Sequence, residues 1–139
     1  MAYITTPDYL CFIVTRYDPV GNKVNAVISE ALKGTGVGVY SATSVPAGAA
    51  VFEAIDVALR RADVVVLDVS QPTPNVMFEA GFALGRGVPL LIIAERGSRN
   101  PMPVQLRAMQ VLVYDVNDFR PFATYIRRLV PSLAKSRRG

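Results

Sequence analysis

Glu79 is the acid in this 139-residue sequence whose surroundings are hardest to explain by packing. It sits in Met77-Phe78-Glu79-Ala80-Gly81-Phe82-Ala83-Leu84, a small and apolar helix start with no other charge. Upstream, the apolar run Val64–Val69 carries a second carboxylate, Asp68, with Ser70 just past it. Thr73 and Asn75 follow in the turn, and Arg16, Tyr17 and Asp18 follow an earlier apolar run. A carboxylate beside an anomeric carbon can attack it or stabilise an oxocarbenium-like transition state. A sugar–base bond is therefore one target this set suits. The free N–H groups of a helix start suit an anion such as phosphate, and Arg16 is a candidate to bind one.

Plainer roles stand beside these. Glu79 also suits the positive end of a helix dipole, worth about 0.3–1 kcal/mol. Asp68 can cap its strand end or bond a loop amide, Asn75 can be a turn or cap residue, and Arg16 a solvated loop charge. Ser41, Thr43 and Ser44 form a polar loop that could line the same space, with Ser44 the candidate contact. Gly81 and Gly85, four apart, suggest close approach of their helix to a neighbour.

The elements that must position these groups alternate along the chain. Tyr9–Thr15 reads as a buried strand, Arg16–Asn22 as a loop and Lys23–Leu32 as a helix stopped by Gly34 and Gly36. Val37–Tyr40 is a second strand, Ser41–Gly48 a loop and Ala49–Arg61 a helix. Val64–Val69 is the third strand and Pro74–Arg86 the third helix, with Pro74 at its first position. Val88–Ala94 is the fourth strand, Glu95–Pro103 a loop, and Val104–Met109 one or two helical turns. Val111–Tyr114 and Phe119–Leu133 give the fifth strand and last helix.

Such alternation predicts one α/β domain over 1–134, a flavodoxin-like three-layer sandwich with a five-stranded, mostly parallel sheet of order 2-1-3-4-5. Ligands of such sheets sit beyond the carboxyl ends of the strands where the order reverses, here between strands 1 and 3. The loops Arg16–Gly21 and Ser70–Asn75 flank that crevice, and Glu79 lies within reach of it.

Composition limits the alternatives. Net charge is +4, but Lys135, Arg137 and Arg138 cluster at the end, so 135–139 reads as a basic flexible tail and no nucleic-acid partner is expected. With no histidine and one cysteine, Cys11, a His-dependent triad and a zinc site are excluded, and no metal or cofactor is expected. No apolar run approaches the roughly 20 residues of a membrane helix, and MAYITTPDYL has no signal-peptide pattern, so a reducing cytoplasm and no membrane partner are expected. The hydrophobic content of 51% fits a sheet buried on both faces and also a homo-oligomer interface.

With these residues in hand, Ala62–Ile93 resembles a known pattern. It is similar to the nucleoside 2-deoxyribosyltransferase-like superfamily and the related bacterial TIR-like nucleotide-binding domains. The matching residues are Ala62-Asp63 and Asp68, then Pro74-Asn75-Val76-Met77-Phe78-Glu79-Ala80-Gly81-Phe82-Ala83, then Gly87-Val88-Pro89. Phe12–Tyr17 is similar to the family's first strand, and the resemblance covers roughly residues 9–115, with only the third-helix motif specific. It implies a flavodoxin-like fold, a nucleoside, nucleotide or NAD ligand, and N-glycosidase or deoxyribosyltransferase-like activity. The nucleophilic carboxylate would be Glu79, with Asp68 beside it, and Arg16, Tyr17 and Asp18 would contact substrate. The alternative is a non-catalytic TIR-like nucleotide-sensing or protein-interaction domain. Two departures stand out: Arg16 replaces the family's usual proline, and Ser41–Gly48 holds no aspartate, where transferases carry one to protonate the leaving base.

Overall fold

The computed structural model describes residues 6–16, 18–41, 51–71, 81–98 and 110–138, with only the backbone for 51–55 and 138. Tyr17, Ser44, Asn75 and Glu79 lie outside the described residues, as do most of the Ser41–Gly48 loop and the turns expected at Val104–Met109. The elements run β1 (Tyr9–Val14), α1 (Pro19–Ala31), β2 (Val37–Ser41), α2 (Val51–Arg61), β3 (Val64–Asp68), a helical stretch over 81–85, β4 (Leu90–Glu95), β5 (Val111–Tyr114) and α3 (Arg120–Arg138).

The strands form a single sheet of order β2-β1-β3-β4-β5, parallel at every pairing. This is the flavodoxin-like order, and β3 lies at its centre with all five residues buried. Successive side chains in a strand point to opposite faces, and here each face has its own core. Cys11, Ile13, Val64, Val66 and Ile93 pack with Val24 and Ile28 of α1 and Phe122, Ile126 and Val130 of α3. Phe12, Val14, Val65, Leu67 and Ile92 pack with Ala58 and Leu59 of α2 and with Ala83 and Val88. Burial on both faces accounts for the unbroken apolar strands.

Most boundaries fall within a residue or two of the sequence reading, and three departures are informative. Helix α1 begins at Pro19, inside the stretch read as loop: Asp18 is its N-cap, with Oδ1 accepting from the Gly21 amide at 2.8 Å, and Pro19 occupies the first turn. Strand β4 continues to Glu95 rather than ending at Ala94, because it pairs with β5 through Tyr114. Helix α3 continues to Arg138 where the sequence suggests a frayed tail from residue 135. Ala134 is fully buried against the core, and the Lys135–Arg137 side chains that follow are exposed on good helix formers.

The glycines of the third helix also differ from expectation. A Cβ built at Gly81 or Gly85 meets nothing within 4 Å, and both residues are exposed, so close approach does not explain them among the described residues. The close approach occurs at Gly21, where a Cβ would lie 1.7 Å from the Arg16 carbonyl oxygen.

Candidate functional site

In a sheet of this order the strand direction of winding reverses between β1 and β3. The residues leaving the carboxyl ends of β1, β3, β4 and β5 meet there in one connected set.

From β1, Thr15 is buried and donates to Asn25 Oδ1 of α1 at 3.0 Å, and Asn25 Nδ2 reaches Ser41 Oγ at the end of β2 at 3.3 Å. Arg16 follows. Its Nε donates to Asp18 Oδ2 and its Nη1 to Glu95 Oε2, both at 2.6 Å, with the Arg16 side chain only 16% exposed. The second contact joins the ends of β1 and β4, the strands on either side of β3. Partial burial works against the Arg16 charge, but hydrogen bonds and the negative charges of Asp18 and Glu95 outweigh it and hold the guanidinium pKa above its ordinary value. For Asp18, burial favours the neutral acid, yet the Gly21 amide and Arg16 prevail and hold its pKa below the ordinary carboxylate value.

From β3, Asp68 is 3% exposed and has both oxygens engaged. Oδ1 accepts from the Ser70 amide at 2.9 Å and from Ser70 Oγ at 2.6 Å, while Oδ2 accepts from the Tyr114 hydroxyl of β5 at 2.6 Å. Ser70 Oγ in turn accepts from the Glu95 amide at 2.7 Å and lies 3.3 Å from the Tyr114 hydroxyl. Tyr114 is fully buried against Phe119 and Phe122, with ring centroids 5.9 and 5.6 Å away. Burial, reinforced by the hydrogen bond to Asp68, raises its phenol pKa, so at neutral pH it is a hydrogen-bond donor.

Of the residues singled out from sequence, Arg16, Asp18, Asp68 and Ser70 therefore fall in one chain of hydrogen bonds, Asp18–Arg16–Glu95–Ser70–Asp68–Tyr114. Asp68 serves both its plainer role, bonding a loop amide, and a longer reach to β5. Glu95 and Tyr114, which the sequence reading leaves aside, complete the set. An acid at the end of an apolar strand was the available signal for Glu95. For Tyr114 it was a hydroxyl-bearing aromatic closing the last strand at the same end of the sheet. Among the described residues no cluster of three or more His, Cys, Asp or Glu side chains is arranged to hold a metal ion, and no helix is long and apolar enough to cross a membrane.

No family model and no curated protein sequence matches the chain. Solved structures do. A CMP N-glycosidase from Clostridium botulinum, BcmB, superposes with a TM-score of 0.60 at 13% identity, over 84% of this chain and 97% of that one. The lysine decarboxylase LdcF of Francisella novicida gives 0.56 at 13% identity, over 94% of this chain but 18% of the enzyme. A flavodoxin-like domain from a Synechococcus protein gives 0.51 at 14% identity, over 91% and 96%. At these identities the likeness establishes the flavodoxin-like fold that the strand order defines.

Proposed function

We propose that the chain is a nucleotide-glycosidase-like enzyme that cleaves the N-glycosidic bond of a nucleoside-type ligand at the β1/β3 crevice, with Glu79 as the attacking carboxylate. The observation that carries this reading is a coincidence of motif and topology. The opening part of the Ala62–Ile93 pattern, Ala62 to Ser70, falls on and just around β3, the central strand beside the reversal of winding, and its Asp68 and Ser70 end lies in the polar chain described above. The fold likeness to a CMP N-glycosidase over nearly the whole of both chains supports the same reading.

In this mechanism Glu79 attacks the anomeric carbon as the bond to the base breaks, and the base leaves with the bonding electron pair and takes up a proton. Water then hydrolyses the glycosyl ester, returning the carboxylate. Asp68, with both oxygens occupied, acts by holding the first residues after β3, from which the chain runs on to Glu79. Asn75, Tyr17 and Ser44 are the proposed sugar and base contacts. Ser41–Gly48 carries no aspartate to protonate the leaving base, so in this mechanism the base takes its proton from water, which is also the acceptor that completes hydrolysis.

The test is chromatography of mixtures of the protein with deoxynucleosides, nucleoside monophosphates and NAD. Free base should appear with the wild type and fall by at least about a hundredfold in Glu79→Gln, the scale of losing an activated nucleophile. Nucleotide binding without release at high protein concentration would instead support the sensing domain.

A further inference from the structure

Anions bind α/β folds most readily at the amide groups of the first helix, after β1. Here that place is filled from within the chain. Asp18 Oδ1 accepts from the Gly21 amide at 2.8 Å, and the other oxygen of Asp18 holds Arg16 Nε at 2.6 Å. The second guanidinium contact, through Nη1, goes to Glu95 Oε2 at 2.6 Å. Arg16 is the one basic side chain in the described polar set and its guanidinium faces two carboxylates, Asp18 and Glu95, so its charge is more than matched there. Two described cations that follow β4 and β5 are paired elsewhere: Arg96 with Asp115 and Arg120 with Asp118. The Arg16 carbonyl lies against Gly21, at 1.7 Å from where a Cβ would be, so the residue that carries the guanidinium packs closely on the first turn of α1.

From this we infer that Asp18 and Glu95 are specificity-determining residues: the negative charge they set against Arg16 and the first turn of α1 excludes phosphate, so the crevice selects ligands that carry no phosphate at its β1 end. This rests on the glycosidase reading for the identity of the ligand, but the exclusion of anions stands on the ion pairs alone. It also departs from the phosphate-binding role that Arg16 suggests in the sequence, since a phosphate would have to displace a carboxylate at 2.6 Å to reach it.

Asp18→Asn and Glu95→Gln separate charge from structure. Asparagine caps helices as well as aspartate, and glutamine can still accept from Arg16. Two measurements are made on the wild type and both variants: kcat/KM for deoxynucleosides against their 5′-monophosphates, and calorimetric titration with inorganic pyrophosphate. The wild type should favour the nucleosides by about tenfold or more and give no pyrophosphate binding. Each variant should move the ratio toward the monophosphates by about tenfold, with pyrophosphate binding gained in at least one. Wild-type preference for monophosphates, wild-type pyrophosphate binding, or no gain in either variant would overturn the inference. Should no base be released from any compound, the glycosidase reading fails, and the pyrophosphate titrations still decide this one.

Discussion

Tyr114 closes the polar set from the buried side of β5. Its hydroxyl is the sole described contact of Asp68 Oδ2, donated at 2.6 Å from a fully buried ring. Tyr114→Phe keeps the stack on Phe119 and Phe122 and strands one buried carboxylate oxygen. It should destabilise the fold by about 1–3 kcal/mol, read as a lower denaturant midpoint at unchanged slope. A midpoint equal to the wild type would show that Asp68 does not depend on Tyr114. Asp18 makes a pH prediction of opposite character. Its folded pKa lies below the unfolded value, so its stabilisation is complete above the unfolded value of about 3.9 and is lost as pH falls through the lower folded one. Acid unfolding of Asp18→Asn, followed by circular dichroism, should lack that part of the low-pH slope; superimposable curves would contradict the assignment. Single-residue chemistry was the least legible part of the sequence. Arg16, Asp18, Asp68 and Ser70 stood out by type and place, but which partners they choose depends on Glu95 and Tyr114, brought in from strands far along the chain.

The elements were far more legible, because apolar period and punctuation are local signals. All five strands and the helices α1, α2 and α3 are legible in the sequence, and the differences lie at their ends. The start of α1 illustrates why. Asp18-Pro19 is a cap followed by a first-turn proline, yet Gly21 and Asn22 read as a turn, and the reason for a glycine inside the first turn is tertiary: the Arg16 carbonyl rests on it. Gly21→Ala therefore differs from an ordinary helix substitution. Instead of the gain a glycine-to-alanine change brings in an open helix, it should cost about 1–3 kcal/mol or more through overpacking, and it should disturb the Arg16 contacts to Asp18 and Glu95. Thermal melting reads the first effect; a melting temperature at or above the wild type would show that the loop gives way. The end of α3 carries the converse lesson. A run of basic residues suggested fraying, whereas the burial of Ala134 keeps the helix going to Arg138.

For the whole molecule, the two cores on either face of the sheet hold the strand ends in register, so the polar set at those ends is a product of the fold rather than of any one loop. Cys11 reports on that integrity: it is fully buried, and burial pushes its thiol up to about 12. It should react with thiol reagents only as fast as the domain opens, and labelling at the rate of a free thiol in native buffer would contradict a closed core. Topology was legible from the alternation of elements, since a right-handed, parallel arrangement leaves few orders for five strands; the site's charge balance was not, because it is set by which side chains meet. The central claim, glycosidic cleavage by Glu79 at the reversal of winding, is tested most directly by one time course. Wild type and Glu79→Gln, matched in melting temperature, are incubated with the same nucleoside panel, and free base is quantified. Steady release by the wild type and release at least about a hundredfold slower by Glu79→Gln is the predicted result; equal rates, or no release by either, would contradict it.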